Sequence, residues 1–159
     1  MSKVDQNATT NNARASDLAK ACAKVMQVSD AYSHALGIRL AQIEQGLAVM
    51  IMAVDNGKLN GYGTCHGGVI FSLADTAFAY ACNSQNQTAV AASCTIDFVR
   101  PAKSGDVLTA TATMQYQGRR TGVYQTLIVN QDEKLIAIFK GNAARLGTPI
   151  LDPSLEESL

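Results

Sequence analysis

Residues 69–82 constrain the fold more than any other stretch of this chain. Val69, Leu73 and Ala77 fall on one side of a helix, and Ile70, Ala74 and Phe78 about 100° round from them. An apolar surface covering most of a helix's circumference has to be enclosed, so the rest of the chain must supply a wrapping. The chain has 159 residues, 47% of them hydrophobic, which is enough for one core and calls for no second domain.

The remaining apolar segments read as strands. Residues 35–41 and 47–54 are two apolar runs separated by Glu44, Gln45 and Gly46, the pattern of a hairpin. After the helix, Cys94, Ile96 and Phe98 alternate with Thr95, Asp97 and Val99. Residues 107–116, 122–130 and 134–145 then follow with turn residues between them. Connections this short exclude parallel crossovers. The expected fold class is therefore α+β, an antiparallel sheet of about six strands wrapped around one long central helix. Such a sheet has one face left over, which predicts a homo-oligomer. Leu18, Cys22, Val25 and Met26 recur at helical spacing, and Ser16 is placed to cap that helix. The expected organisation is a flexible tail over 1–15, a single domain over 16–148 and an acidic C-terminal tail over 149–159.

Charge and composition exclude several partners. Thirteen Lys plus Arg balance thirteen Asp plus Glu, so no broad field exists to gather nucleic acid or anionic lipid. No apolar run approaches the roughly 20 residues of a membrane helix, and the first residues lack the basic-then-apolar pattern of a signal peptide. The expected compartment is the cytoplasm, with Cys22, Cys65, Cys82 and Cys94 as reduced thiols because no C-x-x-C pair occurs. The two histidines, His34 and His66, have no convergent carboxylate motif, so a catalytic zinc site is not expected. Gly61, Gly63 and Gly67 do not spell a dinucleotide fingerprint, since position 66 is His.

Asp75 is the candidate catalytic residue. It lies among Leu73, Ala74, Ala77 and Phe78, where an unpaired carboxylate is costly and its pKa is driven upward. Either it caps backbone or pairs with an Arg, or it serves as base or nucleophile. Just before the helix, Gly67 and Gly68 follow His66, so backbone N–H groups at a helix N-terminus stand clear of large side chains and suit a developing oxyanion. Gly67 and Asp75 are eight residues apart, roughly 12 Å along a helix. Asn60 sits in a Gly-rich turn, a place Asn also occupies because it tolerates left-handed φ. His66 reads equally as a hydrogen-bonded structural residue. Arg100, Lys103, Arg119 and Arg120 stand at strand ends, where they meet an anionic group or are ordinary surface charge. Tyr62, Phe71, Phe78 and Tyr80 line an apolar pocket or belong to the core.

The run from Asn60 through Cys65, His66, Gly67 and Gly68, then Phe71 to Asp75, Ala77 to Ala79 and Asn83-Ser84, resembles the signature of hotdog-fold acyl-CoA thioesterases of the phenylacetic acid degradation type. The likeness continues through Asp97 to Pro101 and Gly105-Asp106, covering roughly residues 32–145. It implies that Asp75 is the catalytic carboxylate, as base or nucleophile, and that the Gly67 N–H polarises the thioester carbonyl. It places Asn60 as the orienting amide, opposite the acid across a subunit interface, and counts His66 with the catalytic set, as the residue that shapes the loop and touches the substrate. Gly68 falls beside the substrate; given such a substrate, the cations at the strand ends, Arg100, Lys103, Arg119 and Arg120, are where phosphate contact with the nucleotide end of coenzyme A is to be sought. The implied protein is a cytoplasmic homotetramer, a dimer of dimers, that hydrolyses aryl-acetyl-CoA or related aromatic thioesters with no cofactor beyond the coenzyme A of its substrate. A hotdog dehydratase or hydratase and a non-catalytic acyl-CoA binding module are the competing readings.

Overall fold

The computed structural model describes residues 3–152 and 154, with side chains from residue 13 onward. Helices α1 (Lys3–Ser29) and α2 (Ala31–Leu36) precede the hairpin β1 (Arg39–Glu44) and β2 (Leu47–Ala53). A single 3-10 turn over Asn56–Lys58 leads to the long helix α3 (Gly67–Asn83). The chain ends in β3 (Ala89–Phe98), β4 (Val107–Gln117), β5 (Thr121–Val129) and β6 (Leu135–Arg145).

All six strands form one sheet in the order β1-β2-β4-β5-β6-β3, and every pairing is antiparallel. Helix α3 packs against every strand of it. Ile70, Leu73, Ala74, Ala77, Phe78, Tyr80, Ala81 and Cys82 are all buried, which is the enclosure that the all-round apolar pattern demands. This is the hotdog fold. At its centre the Phe78 ring meets Tyr124 edge-on at 5.5 Å and Phe139 at 5.8 Å. The ring also occupies the space above Gly141, where a Cβ would stand 2.8 Å from it. Close approach of the helix to β6 therefore depends on a residue without a side chain.

Two local expectations are corrected. Residues 35–41 are not one strand. Asp30 accepts a hydrogen bond from the Ser33 amide, and Gly37 at φ 69° closes α2 with a left-handed turn, so the apolar run is split between a helix end and the start of β1. Ser16 is not an N-cap either, because α1 begins at Lys3 and carries Ser16 inside it. Asn and Thr cost a helix only tenths of a kcal/mol each relative to better formers, too little to stop one that continues from the Ala-rich segment. The expected tail at 1–15 falls mostly on residues whose side chains lie outside the description. At the other end the amides of Ile150 and Leu151 both donate to Asn86 Oδ1, and Leu151 is buried, so packing reaches past residue 148. Residues 153 and 155–159 lie outside the described residues. No described helix is long and apolar enough to cross a membrane.

Candidate active site

The N-terminus of α3 has four backbone N–H groups to satisfy. His66 is the N-cap, and its Nδ1 accepts from the Gly68 amide at 2.9 Å; the Val69 and Ile70 amides donate to His66 O. Among the described residues nothing accepts the Gly67 N–H, which leaves it as the one open donor at the positive end of the helix dipole. The cap also fixes the imidazole: with Nδ1 accepting, the neutral ring carries its proton on Nε2. Among the described residues no histidine ring is hydrogen-bonded to an Asp side chain, the pairing a dehydratase would use. We predict that His66→Ala lowers unfolding stability by about 1 kcal/mol and that His66→Asn, which keeps an acceptor at this position, recovers most of it in urea denaturation.

The loop carrying His66 is pinned from both sides. The His66 amide donates to Lys58 O, the Cys65 amide donates to Ala102 O, and Thr64 bridges to Lys103. Asn60 organises this loop with its side chain. Its Oδ1 accepts from the amides of Tyr62 and Thr64, while Nδ2 donates to Thr64 Oγ1. One Nδ2 hydrogen remains for another acceptor. Asn60, Cys65, Gly67, Phe98 and Arg100 line an open groove of about 310 Å³. Phe98 is the member that residue reading had not singled out as functional. Its ring packs on Gly67, where a Cβ would come within 3.1 Å, although 53% of the side chain's residue surface is exposed. The alternation over 94–98 was the available signal, since it put Phe98 on the helix-facing side of β3.

Asp75 is half-buried two turns further along α3 and does not line that groove. Burial alone pushes its carboxyl above the ordinary Asp value. Among the described residues it forms no ion pair and receives no backbone cap, so the structural reading of this acid has no partner to rest on. Among the described residues its one side-chain hydrogen-bond contact is with Cys94 on β3, with Sγ 4.0 Å from Oδ1.

The four candidate phosphate ligands separate into two pairs. Arg100 and Lys103 follow β3 at the end of the sheet where α3 starts. Arg100 donates to Leu135 O, and the Lys103 amide donates to Asp106 Oδ2. Arg119 and Arg120 occupy the exposed β4–β5 turn at the opposite end, where Arg120 O accepts from the Arg145 amide. A strand of ten residues separates these ends by roughly 30 Å, so one chain does not bring all four cations to one ligand. Gly68 is exposed next to the groove. Phe71, Phe78 and Tyr80 belong to the packing of α3, with Phe71 edge-on to Phe139 at 5.4 Å, while Tyr62 is 95% exposed.

Comparison with known proteins agrees with this geometry. The model of the Thioesterase superfamily matches residues 62–137, from the loop before α3 into β6. The acyl-coenzyme A thioesterase PaaI of Escherichia coli K12 is 54% identical over 128 residues, spanning 80% of this chain and 91% of that protein. The solved structure of the E. coli PaaI protein from the phenylacetic acid degradation operon superposes with a TM-score of 0.84 at 52% identity, over 85% of this chain and 98% of that one. The protein smu.793 of Streptococcus mutans UA159, solved bound to acetyl-CoA, reaches a TM-score of 0.69 at 27% identity, over 70% of this chain and 90% of that one.

Proposed function

Since the chain belongs to the hotdog-fold thioesterases related to the PaaI acyl-CoA thioesterases, we propose that it hydrolyses aryl-acetyl-CoA and related aromatic acyl-CoA esters to free acid and coenzyme A, in the degradation of phenylacetic acid. The observation that carries this reading is Asp75: a half-buried carboxylate on an enclosed helix with no cation and no backbone donor among the described residues to explain it.

In this reading the Gly67 N–H, backed by the α3 dipole, polarises the thioester C=O and holds the oxygen as it becomes negative. The Asp75 carboxylate either takes a proton from water as the water adds to the carbonyl carbon, or attacks that carbon itself and is released by water. The C–S bond breaks, and the thiolate leaves with a proton as free coenzyme A. The spare Asn60 Nδ2–H orients the water or the carbonyl. Water and these residues suffice, so the mechanism invokes no metal or redox group.

Gly67 and Asp75 are too far apart along one helix to act readily on the same atom, which argues for a site shared between copies. Strand β3 offers the means. It is an edge strand, paired only with β6, and residues 90–93 on it are exposed. A two-fold pairing of β3 with its counterpart is antiparallel, and it brings Asp75, which faces β3, towards the second copy's groove. The same symmetry carries one copy's Arg119 and Arg120 to the end where the other's Arg100 and Lys103 stand, so that cations from both copies meet the phosphates of coenzyme A. Dimers then associate through the remaining sheet face into tetramers. Cys65, Cys82 and Cys94 are free thiols, which suits a reducing compartment, the cytoplasm.

A panel of acyl-CoA esters tests the substrate assignment. Phenylacetyl and hydroxylated phenylacetyl esters should give kcat/KM values at least about tenfold above those of long aliphatic esters, the discrimination a shaped apolar pocket provides. Turnover of long aliphatic esters alone would refute it.

A further inference from the structure

We propose that Cys94 is a positioning residue for Asp75: its thiol reaches from β3, donates to Oδ1, and leaves Oδ2 to face the water or the thioester carbon. The inference rests on the reading of Asp75 as the catalytic carboxylate and names the group that orients it.

Three observations support it. First, the contact joins two elements that only the fold brings together, across 19 positions of sequence, with Sγ 4.0 Å from Oδ1. Second, among the described residues Asp75 has no other side-chain hydrogen-bond donor and no ion pair, so the thiol is the one polar group seen to distinguish its two oxygens. Third, the thiol remains a donor. Burial, and after it the charge of Asp75, raises the Cys94 pKa, so the sulfur keeps its proton at neutral pH and does not compete as a nucleophile. Cys94 stands opposite Gly141 in the β3–β6 ladder, and the Phe78 ring fills the space above Gly141.

The titratable groups around Asp75 are few. Cys94 faces it from β3 and Cys82 from α3 itself, both feeling its charge. Tyr80 on α3 answers instead to Asp30, which caps α2, and Tyr124 on β5 answers to Cys82 and to Arg145 on β6. No described Lys, Arg or His pairs with Asp75 from any element. A donor to the ionised carboxylate offsets part of the cost of its burial, so removing that donor must raise the Asp75 pKa.

The test uses wild type, Cys94→Ala and Cys94→Ser as intact oligomers. The Asp75 carboxyl carbon is titrated by NMR, and the acid limb of kcat/KM against pH is measured alongside. Cys94→Ala should move both midpoints up by about half a pH unit and lower kcat several-fold with KM little changed, while Cys94→Ser, which keeps a donor, returns the midpoint towards wild type. A merely structural role for Cys94 moves neither midpoint. Superimposable titrations in all three proteins overturn the inference. If wild type hydrolyses no thioester, the functional reading fails, and the NMR titration still decides whether the thiol governs the carboxylate.

Discussion

Asp75→Asn is expected to reduce kcat/KM for thioester hydrolysis by about 10³-fold or more while leaving the protein folded. Asn preserves the shape of the side chain and removes only the charge, so the loss isolates the carboxylate's chemistry from its packing. Stability should move the opposite way. Burial raises the Asp75 pKa in the folded protein above the value of about 3.9 that it has in the unfolded chain. The folded state therefore holds this proton more tightly than the unfolded state does. The resulting contribution is fully present below the unfolded value and is lost as pH rises through the folded one. At neutral pH the wild type carries a half-buried, unpaired charge that the Asn variant does not. Urea midpoints of the two proteins should thus coincide below about pH 4 and separate above it, with the variant the more stable. A variant less stable than wild type at pH 7 would mean that the contacts of the carboxylate, that with Cys94 among them, outweigh the cost of burying its charge.

Phe78→Ala is expected to cost about 3–5 kcal/mol of unfolding free energy, a large share of what a domain of this size has. The ring is 1% exposed, stacks edge-on with Tyr124 and tilts against Phe139. It also lies directly over Gly141, which has no side chain to move into the space the ring would vacate. The cavity would open in the middle of the helix-to-sheet contact, where α3 is held at the height that sets Asp75 against Cys94. Denaturant unfolding reads the loss directly, as a lowered midpoint with an unchanged slope. A cost below about 1 kcal/mol would mean that the core collapses around the missing ring and that α3 is held by other contacts.

The sequence was most legible where burial imposes a period. The all-round apolar pattern of residues 69–82 demanded an enclosed helix, and α3 is enclosed. The alternation of Cys94, Ile96 and Phe98 with Thr95 and Asp97 marked the two faces of β3, and Cys94 and Ile96 are indeed less exposed than their neighbours. The short connections after residue 105 read correctly as the antiparallel run β4, β5 and β6. Legibility failed where capping outweighed hydropathy. Ala35 and Leu36 look like the start of a strand, and the cap at Asp30 with the left-handed Gly37 makes them the end of a helix. The site shows the same division. A buried carboxylate at 75 and glycines at 67 and 68 stand out in any reading of residue types. The contact of Phe98 with Gly67 and that of Cys94 with Asp75 depend on the order in which strands assemble, with β3 placed beside β6 at the sheet edge, and no local pattern encodes that order. The separation of Arg100 and Lys103 from Arg119 and Arg120 was hidden for the same reason.

The most direct measurement is the stoichiometry of products when the purified protein meets phenylacetyl-CoA, with free thiol followed colorimetrically and free acid by chromatography. The account predicts one thiol and one carboxylic acid released for each ester consumed, at a rate that depends on Asp75. An ester that is bound yet survives intact, or a β-hydroxyacyl ester that loses water to give the absorbance of an enoyl thioester without releasing thiol, would contradict it.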